Sequence, residues 1–223
     1  MTGRTPRIGL DRRGIAALEF ALLAPVLIVV AVSLTDVTNI VIVWWQISSA
    51  AGAIARIATT YAATNNNTNS LTTTQATTAS TAVFGVVPAL ITAPVSRYGV
   101  TLSSVVMTLA VNGCTSNCAY VANTAWSTTL QGSAPARPCG QLGSVADTAP
   151  AASATLPLDA FTSAPLLVVD VRYNFTPTFT KLFGAGLRFM ETAYMSARTG
   201  SDANWIRITG PNFAQTQCPG YTG

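Results

Sequence analysis

The sequence predicts an α+β fold: one long N-terminal helix, apolar enough to cross a membrane, packed on a small antiparallel β-sheet whose loops are tied by disulfides. Three observations carry the prediction. Residues 21–32 are apolar without interruption, residues 167–175 alternate apolar and polar side chains as a strand does, and all four cysteines lie beyond residue 113.

Residues 1–14 are polar and basic, with Arg4, Arg7, Arg12 and Arg13 against Asp11. No small-residue cleavage site of the secretory type follows the apolar run closely, so this is not a standard secretory leader. From Ile15 a helical signal continues through the apolar run to about Trp45. At ~1.5 Å per residue this is longer than a bilayer core of about 30 Å, so the helix must tilt, kink or protrude. Pro25 removes one intrahelical hydrogen bond and is the expected kink. Asp36 sets the outer interface near residues 34–39, and Trp44 and Trp45 suit either that interface or packing on the domain beyond.

Past the tryptophans the helix turns amphipathic. Ile47, Ala51, Ile54, Ile57 or Ala58, and Tyr61 recur every three or four residues and should dock on the sheet. Ser48, Ser49, Gly52 and Arg56 fall on the solvated side, and the helix ends near Ala63, before Asn65-Asn66-Asn67. Residues 64–80 are rich in Thr, Asn and Ser, which reads as a linker or surface loop. Residues 83–95, broken by Pro88 and Pro94, read as a short helix or irregular segment.

The first strand expected is residues 100–111, with Val105, Met107, Leu109 and Val111 on one face and an Asn112-Gly113 turn after it. Residues 112–165, rich in Gly, Ala, Pro, Ser and Thr, read as a disulfide-tied loop rather than core. Leu167, Val169, Val171, Tyr173 and Phe175 alternate with Asp170, Arg172 and Asn174 in a half-buried strand that Pro177 ends. Asp170 and Arg172 are expected to be solvated or paired across strands. After a Gly184-Ala185-Gly186 turn signal, residues 187–198 form a second strand, antiparallel to the first. The tail from Thr199 is irregular.

Composition narrows the function. Nearly half the residues are apolar and 9% are charged, a balance suited to a membrane-tethered protein rather than a cytosolic enzyme. Removing residues 1–14 takes away four positive charges and one negative, so the formal +4 falls to about +1. No basic patch of the kind that neutralises nucleic-acid phosphates remains. The leader arginines instead predict a cytoplasmic N-terminus, which puts the C-terminal portion outside.

In that oxidising location Cys114, Cys118, Cys139 and Cys218 are expected to form two disulfides. Three connectivities are possible; Cys114 with Cys118 and Cys139 with Cys218 is the preferred one. The absence of histidine removes Ser-His-Asp and Cys-His catalysis and argues against a zinc site. The remaining acids are not paired by any motif. No cofactor, metal or small-molecule substrate is expected, and no enzymatic activity.

The organising stretch is Arg12-Arg13-Gly14-Ile15-Ala16-Ala17-Leu18-Glu19-Phe20. A carboxylate inside a hydrocarbon span costs on the order of 2.5–3.5 kcal/mol, so Glu19 needs a partner. Cleavage after Gly14 would supply one, because the new α-amine of Ile15 lies about one helical turn away. The stretch Glu19-Phe20-Ala21-Leu22-Leu23-Ala24-Pro25, behind a short basic leader, resembles the prepilin class and, more narrowly, the TadE/TadG-like minor pseudopilins of the tight-adherence (Tad) system. The resemblance is specific over about the first 60 residues and looser beyond.

It implies a pilin-like fold with processing at Gly14 and Ile15, and assembly through Glu19 and Phe20. It also implies a prepilin peptidase as processing partner, and other pilins or pseudopilins and the Tad inner-membrane platform as assembly partners, in contact with membrane lipid. The expected organisation is a leader over residues 1–14 and a helix over 15–63, spanning the membrane over about 15–43. A linker or loop over 64–82 and a periplasmic or extracellular ectodomain over 83–223 follow. The expected role is a non-enzymatic minor pseudopilin in assembling or initiating a Tad-type pilus. The alternative is a permanently membrane-anchored periplasmic binding or adhesion module.

Overall fold

The computed structural model describes residues 12–64, 69–85, 87–91, 93–150, 152–177, 186–196, 205–210 and 216–221. The leader arginines Arg4 and Arg7, the Asn65-Asn66-Asn67 run, Gly184-Ala185 and the first residues of the tail lie outside these.

Helix α1 (Arg12–Thr64) runs for 53 residues with Pro25 inside it. There follow β1 (Ser70–Thr72), α2 (Thr73–Phe84), α3 (Pro88–Ile91) and a 3₁₀ turn at Val95–Arg97. Two long strands come next, β2 (Tyr98–Leu109) and β3 (Tyr120–Gly132), and then the short β4 (Gly140–Gln141), β5 (Gly143–Val145) and β6 (Thr155–Pro157). After a 3₁₀ turn at Leu158–Ala160 the chain forms β7 (Leu166–Phe175), β8 (Leu187–Ser196), β9 (Arg207–Thr209) and β10 (Thr216–Gln217). The main sheet is antiparallel in the order β10-β3-β2-β7-β8, with β4 added beside β3. β1 pairs β9 and β5 pairs β6, both parallel.

The C-terminal half of α1 lies on β7 and β8, while α2 packs on α1 and reaches β3. The stripe expected on α1 is the buried one: Ile47, Ala51, Ile54 and Ala58 are all 1% exposed or less, and Arg56 stands in solvent. They meet Val100, Leu102, Trp126, Leu167, Val169 and Val171 in the larger core. Trp126 is sealed there, its indole N–H donating to the Ile206 carbonyl at 2.6 Å.

Three expectations are corrected. The segment 64–82, expected as a linker or loop, holds β1 and most of α2. Its Thr72-x-x-Gln75 is a capping box, in which the Thr72 side chain accepts from Gln75 N–H and the Gln75 side chain from Thr72 N–H. Ala76, Ala79 and Val83 then bury one face, so small residues at helical spacing outweigh the polar composition.

The span 112–165, expected as a loop rather than core, contains the 13-residue β3. It also supplies a second core on the far face of the sheet, where Leu142, Leu156 and Ala160 pack on Val105, Met107, Ala122, Leu166 and Val168. β3 escaped the alternation test because its register to β2 shifts at Val100/Thr101 and at Ser104/Val105, and each extra residue breaks the period of two.

Finally, β7 is buried on both faces from Leu166 to Val171 instead of half-buried. The excursion covers the face on which Asp170 lies, and only Arg172 and Asn174 stay partly open.

The strand expected over 100–111 ends at Leu109, leaving Val111 exposed. The strand expected over 187–198 is β8, antiparallel to β7 as expected. Between them, Gly186 adopts φ +111°, and a Cβ there would lie 2.5 Å from the Phe175 carbonyl oxygen, so this turn requires glycine.

Candidate functional site

Residues 17–35 form the exposed half of α1. Leu18, Phe20, Leu22, Leu23, Val26 and Ile28 each present about 60–70% of their surface, and an 18-residue window of the helix has mean hydropathy 2.5 with none of it buried. This helix is long and apolar enough to cross a membrane. Its hydroxyls are already satisfied: Ser33, Thr35 and Thr38 each donate at 2.8 Å to the carbonyl four residues back. These side chains therefore place no open donor in an apolar medium.

Gly14 and Ile15 lie in the first turns of α1, and Glu19 and Phe20 follow on its exposed part. Glu19 sits one turn beyond Ile15, a helical neighbour at i,i+4. Pro25 lies within the helix, which continues on both sides of it; its ring nitrogen offers no donor to the Ala21 carbonyl.

Contact with the head domain begins at Asp36, which is fully buried and has a polar partner. Asp36, Ile40, Val43 and Ile47 form one stripe at helical spacing, with Ile40 and Val43 packed against the larger core. On this face the head domain claims the helix from Asp36 onward, short of the bound of 43 expected for the span. The free stretch 17–35 is 19 residues, about 29 Å of helix, close to a hydrocarbon core of about 30 Å.

The two tryptophans divide their roles. Trp44 donates its indole N–H to the Glu191 carboxylate on β8, whereas Trp45 is 66% exposed. Val37, Val41 and Trp45 continue an apolar strip on the side of the helix away from the sheet.

The head is fastened by three cross-ties. Cys114–Cys118 closes a five-residue ring at the tip of the β2–β3 hairpin, and Cys139–Cys218 joins the excursion to the C-terminal segment, the connectivity preferred from the sequence. The third tie was not legible. Arg137 is fully buried and grips Asp170 with two hydrogen bonds, Nε to Oδ2 at 2.8 Å and Nη2 to Oδ1 at 2.7 Å. Nη1 donates to the Ser153 and Thr155 carbonyls, and Thr192 donates to Asp170. Asp170 is thus paired across strands, to Thr192 opposite it on β8, and also to an arginine 33 residues away on the excursion. No local pattern could have pointed to it.

Among the described residues no cluster of three or more His, Cys, Asp or Glu could hold a metal ion. Asp147 is occupied as an acceptor for the Asp159 N–H. A groove of about 450 Å³ opens between Trp44, β8 and the excursion, lined by Asp147, Glu191 and Tyr194 among others.

Among the described residues, one exposed apolar helix that is long enough to cross a membrane carries an α+β head. The TadE-like protein family model matches residues 14–56, so the N-terminal part of this chain is similar to that of TadE-like proteins, which suggests involvement in the Tad pilus. That match spans the stretch from Gly14 to Phe20, the exposed apolar residues and the docked helix as far as Arg56. Comparisons with curated proteins and with solved structures returned no match.

Proposed function

We propose that the protein is a non-enzymatic minor pseudopilin of a Tad-type pilus or pseudopilus. It is held first in the bacterial inner membrane, with the N-terminus cytoplasmic and the head in the periplasm. A prepilin peptidase cuts it between Gly14 and Ile15, and the assembly platform then moves it into a filament with other pilins.

The observation that carries this reading is the bare apolar stretch 17–35 with one carboxylate, Glu19, near its start. In the bilayer that surface is covered by lipid. After extraction it must be covered by neighbouring helices, at about 25 cal/mol per Å² of apolar surface buried. Glu19 then selects the axial offset that puts a freshly made α-amine beside it, since an unpaired carboxylate in that setting costs on the order of 2.5–3.5 kcal/mol. Gly14 suits the cut as well: glycine is about 1 kcal/mol less favourable than alanine inside a helix, so the first turn of α1 opens cheaply for a protease.

The test is the mass of the N-terminus in cells with and without the prepilin peptidase. The expected products begin at Ile15 in the first strain and retain the leader in the second. Recovery of Met1 in both overturns the proposal. That same result would favour a second reading, a permanently anchored periplasmic binding or adhesion module, for which the groove beside Trp44 and Glu191 supplies a recognition surface.

A further inference from the structure

Three arginines gather at the end of the head domain from which the apolar helix emerges. The direction of the strands fixes which end this is. Along α1, Trp44 meets Glu191 and Thr59 meets Met195, so β8 climbs in the same sense as the helix and its first residues lie toward the exposed stretch 17–35. β7 ends and β2 begins at that same end, because Phe175 pairs Leu187 and Tyr98 pairs Tyr173.

Arg188 precedes Glu191 by three residues, about 10 Å of strand, equivalent to about seven residues of helix. Counted back from Trp44, this brings Arg188 level with about residue 37, where the head meets the free helix. Arg188 stands opposite Asn174, and Arg172 is two residues from Asn174 on the same strand face. The two arginines are therefore diagonal neighbours, roughly 7–8 Å apart at the backbone. Arg97 closes the group from the 3₁₀ turn just before β2, and Arg97, Asn174 and Arg188 line one shallow cleft with Thr176.

No acid among the described residues answers these charges. Asp170 is held by Arg137 and Glu191 accepts from Trp44 on the helix side, and neither Arg97, Arg172 nor Arg188 has an ion pair among the described residues. The side-chain oxygen of Asn174, at the centre of the group, is buried without a hydrogen-bond partner. Arg97 is felt locally: burial raises the Tyr173 hydroxyl above its ordinary pKa, and the guanidinium opposes that rise.

We infer that Arg97, Arg172 and Arg188 form a docking site for anionic phospholipid headgroups of the membrane that α1 crosses, seating the head on the bilayer before extraction. Charge and position both select this occupant. Arginine binds phosphate oxygens through a planar fork of donors, and a basic cluster within a Debye length of an anionic leaflet is attracted to it. The inference rests on the reading of α1 as a membrane span, and the experiment separates the two.

The full chain is reconstituted in nanodiscs of phosphatidylcholine alone or mixed with phosphatidylglycerol. It carries one spin label at a time, at Thr176→Cys beside the cleft, at Ser116→Cys on the distal hairpin tip, or at Val29→Cys in the apolar stretch. The readout is collision with a water-soluble nickel chelate. The site 176 label should lose accessibility several-fold when phosphatidylglycerol is present and regain it in high salt, while the site 116 label does not change. The Arg97→Gln/Arg188→Gln variant, altered only at exposed positions, should remove most of that difference, and adding Arg172→Gln the rest. Equal accessibility of the site 176 label in both membranes, with the site 29 label shielded, overturns the headgroup site and leaves the span standing. A site 29 label open to the chelate overturns the span, and the site with it.

Discussion

Arg137 shows how much one side chain can hold when it is cut off from water. Its guanidinium joins the excursion, through Ser153 and Thr155, to the middle of the sheet at Asp170, and its backbone N–H donates to Ser127. Bringing two ions out of water is costly, and the pair offsets this only because nearly every donor and acceptor is used. Truncation of one partner should therefore cost more than loss of both. Arg137→Met is expected to destabilise the head by about 3–5 kcal/mol, leaving Asp170 charged and buried. The double variant Arg137→Met/Asp170→Leu should recover much of that loss. Urea unfolding of the full chain in detergent, followed by tryptophan fluorescence, measures both; equal losses in the single and double variants would show that the pair is not the tie described. Alternation in the sequence put Asp170 on the polar side of its strand correctly. That this side is roofed by a distant segment could not be read from neighbours two residues away.

At the level of elements, stability rests on segments that local composition undervalues. β3 carries Trp126 into the larger core and Ala122 into the smaller one, because its irregular register turns residues of like parity to opposite faces. The β-branched and aromatic content of residues 120–130 was a usable strand signal; the period of two was not. Likewise the Thr72-x-x-Gln75 box was a helix-start signal hidden in a threonine-rich run.

The disulfides make a prediction at this scale. Cys139 and Cys218 are 79 residues apart and Cys114 and Cys118 only 4, so the first constrains the unfolded chain far more. Its loss in Cys139→Ser/Cys218→Ser should cost about 4 kcal/mol, against about 2 for Cys114→Ser/Cys118→Ser, if chain entropy governs. Thermal melting of the two variants should rank them in that order, and the reverse order would mean that strain or local packing decides.

For the whole molecule, the division of α1 into a free stretch and a docked stretch is the property on which the proposed assembly turns. The head grips the helix from Asp36 onward, so one continuous helix passes from the fold into the lipid-compatible stretch. Val37, Val41 and Trp45 extend the apolar surface past the exposed stretch 17–35 on the side away from the sheet, available to a neighbouring helix. Glu19 should then matter to assembly and not to processing. Glu19→Ala is expected to yield normally trimmed subunit that accumulates in the membrane with few surface filaments. Immunoblotting of sheared and membrane fractions, alongside the N-terminal mass, checks this. Unaltered piliation would remove the role in register.

Local order along the chain determined the apolar helix, its amphipathic continuation to the docking stripe, three of the four long strands (β2, β7 and β8), and the run from Gly14 to Phe20 that carries the family resemblance. These signals have periods of 2 or 3.6 residues, or are read from consecutive side chains, so the sequence alone holds them. The tertiary structure decided the rest: that both faces of the sheet are covered, that Arg137 meets Asp170, and that Asp36 is buried where an interface residue was expected. It also decided that Arg97, Arg172 and Arg188 share one end of the head. Each of these joins segments tens of residues apart, or sets a side chain against a surface made elsewhere in the chain, and no short-range period records such a meeting.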